Sequence, residues 1–344
     1  MADIFQEFYT PAELTAVARE MLAAEDFAGN QFRLAQWFPI VPVDDVEFKW
    51  RQGTTRDFTA AAPFRNYDVA AHIGTRPGRK TKSGEMPPIS MEYPLTEYDA
   101  KMLQQLAKSG PNAREVIEGD VFDDIFKGLK ALEARMEIAR ADALCNGTTT
   151  ITEKGISLTA DWGRTSRTAT PATAWSVAAT ATPMNDEEAA LEVLDSEEGL
   201  QPGDLVTVMA RSTWREYKAT TQFRNAYPSF RVMDRLSMGA VNEVRQDNDF
   251  PELVIYNAQV RQYNGTTRYV IPDGKVLILP RGAIGQTQYG LPPSAIDPRI
   301  ETNNEGGPVS YQTVTANPYQ LSTVVDGLGF PVFMDTQATY VLNV

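Results

Sequence analysis

A chain of 344 residues with one cysteine, Cys145, and one histidine, His72, has little material for the common chemistries of soluble proteins. A lone thiol cannot close an intrachain disulfide, so an assembly of copies must rest on non-covalent contacts or another kind of cross-link. A lone imidazole excludes His-cluster metal sites, and leaves Ser-His-Asp or Cys-His machinery only if that one residue serves it. No apolar run approaches the roughly 20 residues that span a bilayer. Met1-Ala2-Asp3-Ile4 lacks the basic, apolar, small-residue order of a signal peptide, so a protein made and kept in a cytoplasm is expected. The sequons Asn146-Gly147-Thr148 and Asn264-Gly265-Thr266 then read as turns. Positive charge is also short: 32 Lys and Arg face 45 Asp and Glu, for a net charge of −13. That balance argues against a protein that grips nucleic acid through a basic face.

With 42% hydrophobic and 22% charged residues, the chain can build one large globular domain or two smaller ones. Its charge is unevenly placed. Between Lys49 and Lys82, the eight cations Lys49, Arg51, Arg56, Arg65, Arg76, Arg79, Lys80 and Lys82 face two acids, Asp57 and Asp68. The stretches Val46 to Phe58 and Tyr67 to Ile73 are strand-like, and Gly74 to Pro88 is expected as a mobile basic tip or return. A basic strand segment of this kind cannot bury itself alone. It is expected to lie on an acidic surface of another copy.

Thr10-Pro11-Ala12-Glu13 is a capping box with proline at the first helical position. Leu14, Val17, Ala18, Met21 and Leu22 recur on one face and predict a short helix to about Glu25. Phe32 to Val43, aromatic but broken by Pro39 and Pro42, reads as an extended arm laid across a surface. Thr96 caps a run to Lys108, stopped by Ser109-Gly110-Pro111. Asn112 caps again, and Val116, Phe122, Ile125, Phe126, Leu129, Leu132, Met136, Ala139 and Leu144 keep helical spacing up to Asn146-Gly147. About 34 residues make a rod of roughly 50 Å. Its start carries Glu115, Glu118, Asp120, Asp123 and Asp124, a seat for cations at a helix N-terminus, with Asp123 to Lys127 as a local pair.

Beyond Gly147, Thr148 to Ile151 and Gly155 to Ala160 predict a hairpin that ends at Asp161-Trp162-Gly163-Arg164. Thr165 to Pro183 is an Ala/Thr-rich crossing anchored by Trp175. Asn185 is expected to cap a helix to Glu198, Leu205 to Met209 to form a buried strand, and Ser212 to start a short helix. Glu252 to Gln262 and Thr266 to Ile271 flank Asn264-Gly265, a strong hairpin signal, and Pro272-Asp273-Gly274 turns into the strand Lys275 to Leu279. Ser310 to Val344 alternates strand and turn. Helices and strands are segregated, which favours an α+β fold.

Catalytic motifs are thin. Gly74-Thr75-Arg76-Pro77-Gly78-Arg79-Lys80-Thr81 has one residue too few between its glycines for a phosphate loop. Asp44-Asp45 and Asp123-Asp124 specify no acid–base roles, and Asp247-Asn248-Asp249 lacks the Gly and distal Glu of a calcium loop. No cofactor or metal is expected. A carboxylate-dependent hydrolase with a deep acidic cleft remains an alternative.

Two local sequences carry a resemblance. They are Asp161-Trp162-Gly163-Arg164, with Trp175-Ser176 downstream, and Ile271-Pro272-Asp273-Gly274-Lys275-Val276-Leu277-Ile278-Leu279, followed by Tyr289-Gly290. The first also admits a plain reading as a salt-bridged corner, the second as a generic turn. In their order, together with the arm and the long helix, the chain resembles the major capsid proteins of tailed bacteriophages, of the phage lambda protein E type. The resemblance implies a Hong Kong 97-type α+β fold: an N-terminal arm with a short helix (1–45), an extended β-loop (46–95), a spine helix with part of a peripheral domain (96–184), an axial domain (185–290), and C-terminal strands returning to both domains (291–344). It further implies hexamers and pentamers closing an icosahedral head around double-stranded DNA, without sequence-specific binding or a membrane. Scaffolding protein, portal and a decoration protein are implied as partners, with assembly in the host cytoplasm. An encapsulin-like compartment enclosing protein cargo would share the fold.

Overall fold

Thr10 accepts a hydrogen bond from the Glu13 amide, and the Glu13 carboxylate accepts one from the Thr10 amide at 2.8 Å. This box starts helix α1, Pro11–Ala23, where the sequence placed it. The computed structural model describes residues 10–24, 32–52, 80–98, 101–102, 105, 112–195, 200–226, 237–300, 305–316 and 319–344. The second helix, α2, runs over Asn112–Asn146 and stops at Gly147, whose φ of +69° is the left-handed conformation of a helix C-cap.

One mixed sheet is organised around a single long strand. Strand β15 (Tyr319–Phe333) pairs antiparallel with β14 (Val309–Ala316) on one side and β4 (Pro88–Leu95) on the other. Its last residues pair with β13 (Gly285–Gly290), and β1 (Ile40–Pro42) lies parallel at the edge of β13. Helices α1 and α2 cover this sheet: Leu14, Ala18, Val121, Ile125, Leu129, Leu132 and Val325 form one buried cluster. Gly128 permits the close approach, since a Cβ there would stand 2.5 Å from Val325 Cγ2 and 2.9 Å from Val325 Cβ. Gly128→Ala should therefore cost about 1–3 kcal/mol from overpacking, against the roughly 1 kcal/mol an exposed helical site would gain. Urea unfolding followed by tryptophan fluorescence measures the sign.

The second sheet has the order β7 (Thr168–Ala169), β16 (Tyr340–Asn343), β12 (Lys275–Pro280), β8 (Leu205–Met209), β9 (Glu252–Ile255). Strands β8 and β12 are buried throughout except at Lys275 because they serve two cores. Val206, Val208, Leu277 and Leu279 face a core shared with the first sheet, while Leu205, Met209, Val276 and Ile278 face helices α3 (Pro183–Asp195), α4 (Arg211–Ala219), α5 (Thr221–Ala226) and α6 (Met238–Asp247). A strand buried on both faces reads as a continuous apolar run, as these two do. Trp175 is fully buried in the second core and donates to Asp186 at 2.8 Å, so the Ala/Thr-rich crossing is anchored as expected.

Several local expectations shift. Phe32 to Val43 forms an edge strand, β1, rather than a central one, but it is more than an arm laid across a surface: with a 3-10 turn, Arg33–Trp37, it buries Phe32, Leu34, Trp37 and Phe38 in the chain's own core. Helix α3 starts at Pro183 rather than after Asn185, whose side chain instead accepts from Gln222 at 2.5 Å, and α4 starts at Arg211, one residue before Ser212. The single strand expected over Glu252 to Gln262 divides into β9, parallel to β8, and β10 (Gln259–Arg261), which forms the Asn264-Gly265 hairpin with β11 (Thr267–Tyr269). Phe126 falls outside the buried stripe of α2, 38% exposed with the Lys130 ammonium 4.4 Å from its ring centre.

Candidate functional site

The basic segment enters the described structure at both ends. Strand β2 (Glu47–Gln52) and β3 (Lys80–Glu85) form an antiparallel pair in which Lys49 opposes Ser83, Trp50 opposes Lys82, Arg51 opposes Thr81 and Gln52 opposes Lys80. Of the two expectations for this stretch, tip or return, residues 80–88 take the return: strand β3, then the start of β4. Arg56, Arg65, Arg76, Arg79 and His72 lie outside the described residues.

The base of this hairpin is buried in its own chain, against the expectation that the segment has no buried face. Phe48 stacks on Phe330 with ring centres 4.6 Å apart, and Trp50 packs on Trp162 at 4.8 Å. Gly84, opposite Phe48, leaves the space its ring occupies: a Cβ would come within 2.5 Å of that ring. The Gln288 side chain adds a clamp, accepting from the Lys49 amide at 3.2 Å and donating to the Lys49 carbonyl at 3.0 Å. Lys49 also finds its ion pair at home, on Asp45, and the Lys49 hydrogen bond lowers the Asp45 carboxyl below its ordinary range.

The corner Asp161-Trp162-Gly163-Arg164 receives this base. It follows the hairpin of β5 (Thr148–Glu153) and β6 (Ile156–Asp161). Asp161 accepts from the Gly163 amide at 2.9 Å, and Gly163 takes a φ of +73°. Trp162 enters the aromatic cluster and donates to Thr149 at 2.9 Å. Among the described residues Arg164 forms no ion pair: its guanidinium donates to the Leu144 carbonyl and, at 3.1 Å, to that of Cys145. Those are carbonyls of the last turn of α2, which a helix leaves unpaired. One four-residue turn thus caps the long helix and seats the extended hairpin.

The other motif, Ile271-Pro272-Asp273-Gly274, ties the start of α4 and the last residue, Val344, to one turn. Ser212 of α4 donates to Asp273, the Gly274 amide donates to Thr213 at 3.0 Å, and the Gly274 carbonyl accepts from Val344 at 2.9 Å. At Gly274, φ is +74° and a Cβ would stand 2.8 Å from the Val344 carbonyl.

On α2, Glu115 and Glu118 lie on described helical backbone, Asp120 and Asp123 are exposed, and Asp124 is half-buried. Burial raises the Asp124 carboxyl, opposed by Lys127. The local pair is Lys127 with Asp124 at 3.8 Å, not with Asp123. Sequence reasoning missed a buried cluster further along the same helix. Arg140 is fully buried, bonded to Glu133, to Glu137 at 3.2 Å and to Thr287 at 2.9 Å. Glu137 also accepts from Tyr256 at 2.6 Å and from the Leu34 amide at 2.9 Å. Burial pushes the Glu137 carboxyl up, against the pull of Arg140 and these two donors. Burial opposes the Arg140 charge as well, and Glu133 and Glu137 more than restore it. The cluster joins α2, the N-terminal turn, β13 and the loop after β9.

A long helix across a sheet, a hairpin base clamped in the core and a second helix-flanked sheet form the architecture of a phage head-shell subunit, the Hong Kong 97 capsid fold. Across 98% of this chain and 99% of the other, the fold matches a prophage protein of Escherichia coli CFT073 assigned as a capsid protein, with a TM-score of 0.60 at 13% identity. A phage-related protein of Bordetella bronchiseptica RB50 matches with a TM-score of 0.59 at 12% identity, over 95% of this chain and 96% of that one. No protein of curated description shows significant similarity. Residues 3–318 match the sequence profile described as phage major capsid protein E, and the chain belongs to that family.

Proposed function

We propose that copies of this chain close into the hexamers and pentamers of an icosahedral head around double-stranded DNA, each clamped by the extended segment of its neighbour. The observation that carries this reading is the hairpin base. Gln52 and Lys80 are held as opposed partners on a hairpin rooted in the core, so residues 53–79 leave and return at one point of the body. Arg56, Arg65, Arg76 and Arg79, with Arg51, Lys80 and Lys82 at the root, meet the acidic start of α2 on the adjacent copy, at Glu115, Glu118, Asp120 and Asp123. Lys49 and Asp124, each paired within the chain, contribute less. Residues 185–290 supply most of the axial domain and residues 96–184 most of the peripheral one, with the C-terminal strands returning to both: β14 and β15 lie in the first sheet beside β13, and β16 lies in the second. A net charge of −13 keeps the inner wall from binding the genome tightly. Scaffolding protein and portal complete the assembly, which takes place in the host cytoplasm.

Electron microscopy of the purified protein tests the reading directly, since closed shells are expected and a small sealed oligomer would refute it. Charge is tested by replacing Arg76, Arg79, Lys80 and Lys82 together with Ser. Exposed pairs contribute about 0.2–1 kcal/mol each, and salt screens them. The variant should need more subunit to assemble at low salt, and its deficit relative to the unaltered protein should shrink as salt rises. Equal assembly at every ionic strength would remove the charge argument.

A further inference from the structure

Beside α2, on the flank where β4 lies, an apolar groove of about 450 Å³ opens to solvent. Met136 and Ile138 of α2, Ile151 of β5, Val260 of β10 and Phe330 of β15 form its floor, each no more than 8% exposed. Met91, Ile156 and Tyr263 stand exposed around its mouth. The polar side chains along its walls are already engaged: Ser90 donates to Asp326 at 2.6 Å, Gln262 accepts from Thr266 at 2.9 Å, and Arg135 pairs with Glu153 at 3.0 Å. Two cations are left over. Lys154 and Arg261 are exposed at the mouth and form no ion pair among the described residues, and the Lys154 ammonium lies 6.0 Å from the ring centre of Tyr263. Lys154 has a φ of +44°, at the first position of a two-residue hairpin turn with Gly155, where asparagine or glycine is the usual choice. A cation is held at the mouth in a backbone conformation that lysine seldom adopts.

An apolar floor beneath two spare cations defines the chemistry that fits. A polypeptide would set its own N–H and C=O groups against walls that offer them no partners, and the neighbouring strand β4 carries Pro88 and Pro94, which have no N–H to give. An alkyl chain brings no such groups. A carboxylate at its end would meet Lys154 and Arg261, a local excess of positive charge on a chain whose net charge of −13 otherwise repels anions. Size agrees, since sites for a single small ligand run to about 300–1,000 Å³. We propose that this groove binds one free fatty-acid anion of medium chain length, its alkyl chain over Ile138, Val260 and Phe330 and its carboxylate facing Lys154 and Arg261. The bound chain touches α2 and the two hairpins β5–β6 and β10–β11 at once, so occupancy stabilises the folded subunit. The site lies within one subunit and stands whether or not shells form.

Calorimetric titration of the unassembled subunit with decanoate, kept below the concentration at which it forms micelles, tests the site. One saturating equivalent per chain is expected, with a thermal midpoint that rises with decanoate concentration. Decyltrimethylammonium, with an equally long chain and the opposite charge, should bind about tenfold more weakly, the worth of two exposed contacts turned from attraction to repulsion. Lys154→Glu with Arg261→Glu should invert that preference, an outcome that damaged packing cannot produce. Both positions are exposed, so this variant is expected to fold. Ala134→Leu, which fills the groove from α2, should abolish binding while the circular dichroism stays that of the parent. Heat that never saturates, equal affinity for both probes, or an unaltered preference in the charge variant would each overturn the proposal. So would either of two other occupants. Capture of the subunit by phosphatidylglycerol vesicles without decanoate binding would make the groove a membrane contact, and decanoate binding by free subunits but not by assembled particles would give it to polypeptide of a neighbouring copy.

Discussion

Arg140→Met should destabilise the subunit by about 3–5 kcal/mol, the cost of leaving buried carboxylates without their cation. The substitution keeps the aliphatic volume, so the loss is electrostatic rather than a cavity. Glu133 and Glu137 are 2% and 0% exposed, and neither can turn to water when the guanidinium is removed. The remaining donors, Tyr256 and the Leu34 amide on Glu137 and Tyr289 at 3.5 Å on Glu133, cannot neutralise two charges. Urea unfolding of the unassembled subunit, followed by tryptophan fluorescence, should show a lower midpoint with an unchanged slope. Removing the charges together separates a charge effect from damaged packing. Arg140→Met combined with Glu133→Leu and Glu137→Gln should recover about 2 kcal/mol or more, because an apolar replacement of a buried ionic cluster is often close to neutral. Gln at position 137 retains an acceptor for Tyr256 and Leu34. A single-variant cost below about 1 kcal/mol, the scale of an exposed pair, would mean that the cluster is solvated in solution.

That cluster also marks where reading the sequence ran out. Glu133, Glu137 and Arg140 stand at helical spacing, and on an isolated helix such a row belongs to a solvated face. Only the third dimension reveals that Thr287, Tyr289, Tyr256 and Leu34 close over it. The local signals fared better because their physics is local. A threonine capping box set the start of α1, a glycine in the left-handed region ended α2, and Asn264-Gly265 made its hairpin, with Gly265 at a φ of +83°. Helix phase was harder: one residue of rotation, about 100°, decides whether Asp123 or Asp124 meets Lys127 and whether Phe126 faces the core or water. Phe48 and Trp50 illustrate the remaining limit. Their alternation with Lys49 and Arg51 announces a strand with one apolar face, but nothing nearby says that Trp162 and Phe330 receive it. The capsid resemblance rested on two motifs, and one of them, the corner at Trp162, turns out to be that receiving surface.

This seating decides what should happen when the extended segment is removed. Excising residues 53–79 and joining Gln52 to Lys80 through Asn-Gly should give a folded subunit that forms no shells. The two residues are already opposed partners, and Asn-Gly is the preferred two-residue connection for such a pair because both of its positions accept positive φ. Phe48, Trp50, Gly84 and Met86 keep their packing, so thermal and urea transitions should stay within about 1 kcal/mol of the parent, the range of surface changes remote from the core. A cut that ran on to Met86 would instead remove β3 and a core residue, and would confuse misfolding with failed assembly. Assembly is far more sensitive than folding. Each contact weakened by about 1.4 kcal/mol lowers its association constant tenfold, and a closed shell repeats the same contact around every ring. Sedimentation velocity and electron microscopy should therefore find free subunits or small oligomers where the parent gives particles. Normal shells from the shortened chain would show that neighbours are held by other surfaces, and the clamp reading would fall even though the fold and the family would stand.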